Sequence, residues 1–387
     1  MYTPAYLDNA ATSFPKPPAV AQAVSDFLNT SAGNPGRGGH RLAVAASRAV
    51  ENARETVSIL LGSDPDRTLL GPGCTFWLNT LLFGLLQPGD RVLCSSLEHN
   101  AVMRPLRWLE AQRGVVVQPV HGADPQGVPT AAELALEASR APTTLVVLTH
   151  ASNVTGAVLP IADIARAVAP VPVVVDAAQS AGSLPIDFSS LGIAALATSG
   201  HKGLLGPPGV GVLLLAPGLE PPPLLHGGTG SRSEAELMPE LLPDRLEAGT
   251  PNSAGYAGLE AGCAWLEDHG VHQIHNHELR LLRMAVDGLS QLSGVELIGY
   301  HPDRPHTGTL SFRVQGVDNG ELALWLDRKH GIQLRPGLHC APAAHRRLGS
   351  FPAGTLRAGF GPFNTTEHAE RLVDAVASFP RRSSASG

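Results

Sequence analysis

Six short aliphatic runs recur between residues 91 and 215, none broken by the polar alternation of a one-sided strand. They are Arg91–Ser96, Val115–Val120, Leu145–Thr149, Val171–Asp176, Ala194–Thr198 and Val210–Leu215. A strand that is apolar on both faces must be covered on both faces, which is the situation of a parallel sheet clad in helices. Helical patterns precede and separate the runs, at about 43–61, 75–86, 101–113, 130–138 and 161–168. This alternation predicts an α/β fold with a mostly parallel sheet that binds its ligands at the carboxyl ends of the strands.

The rest of the chain reads differently. Residues 217–251, with Pro221-Pro222-Pro223 and Gly227-Gly228, predict a long excursion, followed by a helix over about 253–268. Leu292–Ile298 and Thr309–Val314 are strand-like, and Gly320–His330 and Thr366–Ser378 are helical, which predicts a smaller α+β unit. We therefore expect a large domain over 15–255 and a small C-terminal domain over 256–379, joined by the N-terminal segment 1–14. A disordered tail is expected over 380–387.

A net charge of −6 with only 16% charged residues offers no basic face, which argues against nucleic-acid or anionic-membrane partners. No run approaches the ~18–20 apolar residues of a membrane span. Met1–Asp8 carries neither the basic nor the apolar region of a secretory leader. The four cysteines, Cys74, Cys94, Cys263 and Cys340, are too few and scattered for a disulfide framework or zinc ribbon. A reducing, cytoplasmic setting is the expectation.

Chemistry concentrates at strand ends. Ser199-Gly200-His201-Lys202-Gly203 puts a lysine among small residues just after a strand. A lysine desolvated there loses its proton and becomes a Schiff-base former, whereas an exposed loop lysine does neither. Asp176 closes the strand before it, either capping the following turn or keeping a ring nitrogen such as that of pyridoxal phosphate protonated. Gly71-Pro72-Gly73-Cys74-Thr75 opens a helix whose free amides suit a phosphate, with Thr75, Ser199 and His201 as side-chain donors. His99 stands where it can stack on a flat cofactor or cap the next helix, and Asn153 ends a further strand. Cys340 sits on a Gly/Pro-containing loop beside His339 and Arg335, cations that favour a reactive thiolate; packing alone is the other reading. Arg357, after a short strand, suits a carboxylate.

Two motifs lead elsewhere. Gly206–Gly211 precedes a strand instead of following one, so it is no dinucleotide turn. His269, His272, His275 and His277 crowd near a helix without a carboxylate or cysteine at ligand spacing, so we expect no metal there.

Taken together these stretches resemble the class V aminotransferases, of pyridoxal-phosphate (PLP) fold type I, and within them the cysteine desulfurase and selenocysteine lyase group. The likeness runs from Tyr6–Thr12 and Asn34–His40 through Glu98-His99-Asn100, Ser152–Gly156, Asp176–Ser180 and Ser199–Lys202. It continues to Glu247–Asn252, the Cys340 loop and Arg357 before Phe363-Asn364-Thr365. The resemblance implies an aspartate-aminotransferase-like large domain with a mixed, mostly parallel sheet. It implies that Lys202 carries PLP, Asp176 faces the pyridine nitrogen, Gln179 the ring hydroxyl and His99 the ring face. Cys74, Thr75, Ser199 and His201 then hold the phosphate, with Thr250 reaching across to a neighbouring subunit. Asn153, Arg357, Arg335, Asn9, Ala10 and a partner-donated His40 surround the substrate, and Cys340 accepts its sulfur.

The implied enzyme is a homodimer with shared active sites, turning L-cysteine into L-alanine, with an acceptor protein as the implied partner for its sulfur. The Arg-x-Gly-x-His-Cys loop is similar to that of the SufS-like branch. Three residues depart from the pattern: Cys74 replaces a usual Thr, Leu338 a usual His, and Pro336 stiffens the loop. Selenocysteine lyase uses the same residues, and another aminotransferase-like substrate or a non-catalytic PLP-binding regulator or sulfur carrier completes the alternatives.

Overall fold

The computed structural model describes residues 4–36, 38–232 and 234–380; of the tail expected over 380–387, residues 381–387 lie outside the described residues. The chain opens with β1 (Ala5–Tyr6), α1 (Pro18–Thr30) and α2 (Arg41–Leu61), then β2 (Thr68–Gly71) and α3 (Cys74–Leu85). The α/β run follows: β3 (Arg91–Ser95), α4 (Asn100–Arg113), β4 (Val116–Val120), α5 (Ala131–Ser139), β5 (Leu145–Thr149), α6 (Ile161–Val168), β6 (Val173–Asp176), β7 (Ala195–Ser199) and β8 (Gly211–Leu215). After the excursion come α7 (Ser253–His269), α8 (Val271–Ser290), β9 (Val295–Ile298), β10 (Thr309–Val314) and α9 (Asn319–His330). β11 (Ile332–Gln333), β12 (Arg335–Gly337), α10 (Pro342–Arg347), β13 (Thr355–Gly359) and α11 (Thr366–Ser378) complete the chain.

Seven strands form one sheet in the order β2-β8-β7-β6-β5-β3-β4. β7, β6, β5, β3 and β4 are parallel, while β8 runs antiparallel to both β7 and β2. The expected mixed, mostly parallel sheet is therefore present, and one reversed strand makes it mixed. Alternate residues of each strand enter different cores. Val146 and Leu148 pack with Val57 of α2, Ile164 of α6 and Leu259 of α7. Leu145 and Val147 pack with Trp77 of α3 and Leu106 of α4 on the other face. Double coverage is why the strands read as unbroken apolar runs. β4 differs: it lies at the sheet edge, and Val116 is exposed there.

A four-stranded antiparallel sheet, β12-β13-β10-β9, forms a second core with α8, α9 and α11, joined by Ala5 and Leu7 of the N-terminal segment. β1 pairs with β11 to bring that segment in. Tyr256, Leu259, Cys263 and Leu266 of α7 belong to the large core, and Leu281 to Leu289 of α8 to the small one. Ile274 of α8 and Ala341 and Ala344 at α10 also pack in the large core, so the two cores meet within α8 and at α10. α1, β2 and most of α8 carry no signal that the sequence reading picked up. No helix among the described residues is long and apolar enough to cross a membrane.

Candidate active site

Asp176 is the last residue of β6, paired with Thr149 of β5 and Ala197 of β7, and is 4% exposed. Its Oδ1 accepts the Ala178 N–H at 2.9 Å, so it does cap the turn that follows. The Cys74 thiol donates to the same oxygen at 3.4 Å. Burial and the Asp176 charge push that thiol well up, so Cys74 is a protonated donor. Oδ2 takes neither bond.

Lys202 follows β7 in a turn held by Gly206 N–H to Gly200 O at 2.8 Å and Leu205 N–H to Lys202 O at 2.9 Å. Gly200 is required: a Cβ there would lie 2.5 Å from Val210 Cγ2. Burial lowers the Lys202 pKa, against the opposing pull of Asp176, which favours the neutral amine a carbonyl reagent needs.

The α3 N-terminus faces the same rim. Gly73, at φ +154°, stands before it, and Gly211 of β8 must lack a side chain because a Cβ would sit 2.4 Å from Gly73 Cα. The Cys74 N–H reaches Ser199 Oγ at 3.4 Å. Thr75 is exposed, and half-buried His201 is held down to about 4 by burial and the nearby Lys202 and Lys16, hence neutral. This is a helix N-terminus with side-chain donors around it, the arrangement that binds anions.

His99 caps α4, its Nδ1 accepting the Ala101 N–H at 3.0 Å. The neutral ring therefore carries its proton on Nε2. Burial lowers its pKa, and Asp176 works against that. Beneath it, fully buried Glu98 accepts from Ser95 Oγ at 2.5 Å and the Thr149 N–H at 2.9 Å. Gln179 donates to Ala10 O at 2.8 Å, leaving its Oε1 outside that bond.

Arg357 lies inside β13, not after a strand, and is 2% exposed. It donates to Asn153 O at 3.0 Å and to Asp8 Oδ1 at 2.8 Å, while its Nε is buried without a partner. Asn153 in turn donates from Nδ2 to His339 O at 2.6 Å, and its Oδ1 is also buried without a partner. The Cys340 carbonyl accepts the Asn100 N–H at 2.8 Å, next to His99. His339 and Cys340 both adopt left-handed backbone, at φ 48° and 57°. That costs about 1–2 kcal/mol per residue and turns the exposed Cys340 outward on a tethered loop.

One expectation changes. Buried His339 is pushed down to about 2 by desolvation and by Arg357, so it is neutral and brings no positive charge to Cys340. Its Nε2 instead meets Thr355 Oγ1 at 3.0 Å. Arg357 is the buried cation whose charge reaches the Cys340 thiol, and Arg335 stands opposite it in register on β12. Asn9 and Ala10 line one cavity with Gln179 and Lys202; Asn9 donates to Gly359 O at 2.8 Å and Asn364 Oδ1 at 3.0 Å and accepts the Phe14 N–H at 3.2 Å, and Ala10 contributes its carbonyl to Gln179.

Lys202, Asp176, Cys74, Ser199, His99, Asn153, Arg357 and Cys340 are thus brought together. His40 and Thr250 are not: His40 is exposed and caps α2, and exposed Thr250 lies in a separate pocket with Phe76 and Gly209. His269 stacks on Trp265 with centroids 3.8 Å apart, and His277 bonds Asn364 O at 2.8 Å. Among the described residues no three His, Cys, Asp or Glu side chains converge as metal ligands. Sequence reasoning assigned nothing to Asp8, Glu98 or Lys16, although Asp8 and Glu98 stand in stretches it singled out.

The aminotransferase class-V model matches residues 5–372. A probable cysteine desulfurase of Aeropyrum pernix is 37% identical over 96% of this chain and 93% of its own. The cysteine desulfurase CsdA of Escherichia coli is 36% identical over 96% and 92%. The apo cysteine desulfurase structure from Thermococcus onnurineus NA1 superposes with a TM-score of 0.90 at 31% identity, covering 97% of this chain and 94% of that one. The fold is PLP fold type I, as the resemblance implied. With the family model spanning nearly the whole chain and two relatives above 30% identity, the protein belongs to the aminotransferase class-V family.

Proposed function

We propose that the protein is a PLP-dependent cysteine desulfurase, converting L-cysteine to L-alanine and retaining the sulfur on Cys340. The observation that carries this is the convergence of a desolvated lysine, a buried strand-end carboxylate and an exposed cysteine on one rim. The names of its relatives support the reading.

The residues present fit the cofactor. Lys202 would hold its aldehyde carbon, Asp176 its ring nitrogen, Gln179 its ring hydroxyl, His99 its face, and the α3 N-terminus with Ser199 and His201 its phosphate. When bound, PLP supplies an electron sink for charge released at the substrate Cα. The chain does the rest. Arg357 Nε and Asn153 Oδ1, buried and without partners, face substrate groups: the Arg357 guanidinium a carboxylate, the Asn153 carbonyl oxygen a donor. Lys202, as a neutral amine, would take the Cα proton of the bound substrate. The Cys340 thiolate attacks the substrate sulfur: a sulfur–sulfur bond forms, the carbon–sulfur bond breaks, and protonation of the carbon fragment leads to alanine. His99, protonated on Nε2 when neutral, is the proton shuttle beside the ring.

We further propose a homodimer, since His40 and Thr250 lie away from Lys202 in one subunit, with sulfur leaving exposed Cys340 to an acceptor. All four cysteines are free thiols, which supports a cytoplasmic location.

The test is alanine release from cysteine by the PLP-loaded protein, beside Cys340→Ala. We expect turnover in the wild type and its loss in the variant, with the cofactor's visible absorbance intact in both. Alanine formation that survives Cys340→Ala overturns the assignment, and a higher rate on selenocysteine in that variant points to the lyase.

A further inference from the structure

One backbone carbonyl, that of His201, has four donor atoms of the N-terminal segment within hydrogen-bond distance. Ser13 N–H approaches at 3.1 Å, Thr12 Oγ1 at 3.0 Å, Ser13 Oγ at 3.3 Å and Lys16 Nζ at 2.7 Å. The Ser13 hydroxyl has one proton, and its shorter contact is to the next carbonyl, Lys202 O, at 2.9 Å. Lys16 Nζ also donates to Ser13 Oγ at 2.7 Å. A relay results: Lys16 gives one proton to the His201 carbonyl and another to Ser13, which gives its own to the Lys202 carbonyl. Both peptide groups that set the direction of the Lys202 side chain are gripped from one ammonium.

That ammonium is costly to keep. Lys16 is half-buried, desolvation draws its pKa down to about 8, and no carboxylate pairs with it among the described residues. A charge held only by neutral acceptors loses solvation without full Coulombic return. Pro15 and Pro17 flank it, so the backbone that presents it has little freedom. On the opposite side the loop packs tightly, since a Cβ on Gly203 would lie 2.4 Å from Ala181 O. The clamp and the close packing at Gly203 restrain the 201–202 backbone from both sides.

We infer that Lys16 is a positioning residue for Lys202, acting through the His201 carbonyl and through Ser13. This rests on the reading of Lys202 as the residue that carries PLP. Lys16 itself touches no reacting atom; it orients the amine that does.

The experiment uses the PLP-loaded protein as wild type, Lys16→Met, Lys16→Arg and Ser13→Ala. Lys16→Met keeps length and apolarity but removes every donor. Losing a charged hydrogen bond of this kind is worth about tenfold in an equilibrium or rate. Lys16→Met should therefore weaken PLP binding, titrated by absorbance, by about tenfold. It should lower kcat by a similar factor and leave KM for cysteine within about twofold, because the substrate contacts are elsewhere. Lys16→Arg, which can still donate to His201 O, should recover most of the loss, and Ser13→Ala should lose in the same direction.

Unchanged PLP affinity and kcat in Lys16→Met overturn the role, as does a variant that loses only thermal stability. If Lys16→Met does not fold, unchanged affinity and kcat in Ser13→Ala overturn it. Wild-type protein that borohydride fails to label at Lys202 overturns the underlying reading, and the positioning role with it. A labelled wild type beside an unaffected Lys16→Met protein overturns the positioning role alone.

Discussion

The side-chain amide of Asn153 donates to the backbone carbonyl of His339 across 2.6 Å, joining residues 186 positions apart. The carbonyl of Asn153 accepts from Arg357 at 3.0 Å. One asparagine thus connects the substrate-facing arginine to the peptide that precedes Cys340, and the left-handed turn at His339 and Cys340 is held against its own strain.

Asn153→Asp conserves shape but replaces that donor with an acceptor facing a carbonyl. Losing the bond and leaving the carbonyl unsatisfied costs about 1–3 kcal/mol. The Cys340 loop should loosen, and desulfuration should fall at least about tenfold while PLP binding holds. Steady-state kinetics beside a cofactor titration check this; equal losses in both would mean that the cleft, not the loop, has collapsed.

Arg357→Lys keeps a charge but cannot span Asn153 O and Asp8 Oδ1 with one planar group. We expect KM for cysteine to rise about tenfold or more, with a smaller change in kcat, since the lost interaction is mainly uniform binding. Initial rates over a range of cysteine concentrations give both numbers.

Glu98 predicts a pH signature. Burial lifts its carboxyl to about 8, against hydrogen bonds from Ser95 and Thr149 that pull it down. The unfolded chain releases this proton near 4.5, so between 4.5 and 8 the folded state binds more protons than the unfolded one. Its contribution to stability is full below 4.5 and is lost as pH rises through 8. Glu98→Gln cannot ionise and should remove that loss, so its melting temperature should exceed the wild type's by a few degrees (~2–4 °C) above pH 8 and match it near pH 5. Melting curves across this range suffice, and a constant offset at every pH would exclude the Glu98 titration as its cause.

Arg54, 4% exposed, makes a two-point contact with Glu247 at 2.8 and 3.1 Å and also bonds Thr68 O at 2.5 Å. Glu247 accepts the Leu70 N–H at 2.7 Å, pinning the segment that leads to Thr250 onto β2. Arg54→Met strands a buried carboxylate and should cost about 3–5 kcal/mol. Arg54→Met with Glu247→Leu should recover much of it, which chemical denaturation of both variants measures.

Much of this was legible in the chain. Runs such as Leu145–Thr149 and Val173–Asp176 are apolar because both faces are covered, and their ends mark the rim where Asp176 and Lys202 stand. Helix starts are readable to within a residue or two because His99 and Asn252 cap them locally and Gly73 breaks the chain just before α3. Short-range pattern is enough for such features, since neighbours in sequence decide them.

The remainder depended on residues distant in sequence. Whether β8 runs with or against β7 is set by pairing, and Val210–Leu215 reads the same in either direction. His339 looks like a cation beside Cys340, yet burial under Arg357 and Thr355 makes it neutral. Asn9 reaches the cavity of Lys202 with its amide bonded to Gly359 and Asn364, some 350 positions on. Nothing near Lys16 in sequence announces that its ammonium ends on the peptides flanking Lys202. The sequence alone determined six of the seven strands of the large sheet, how they are covered and which residues stand at their ends. Charge state, tethering and aim were decided by the tertiary structure, because desolvation and hydrogen bonding depend on what the fold packs against each group.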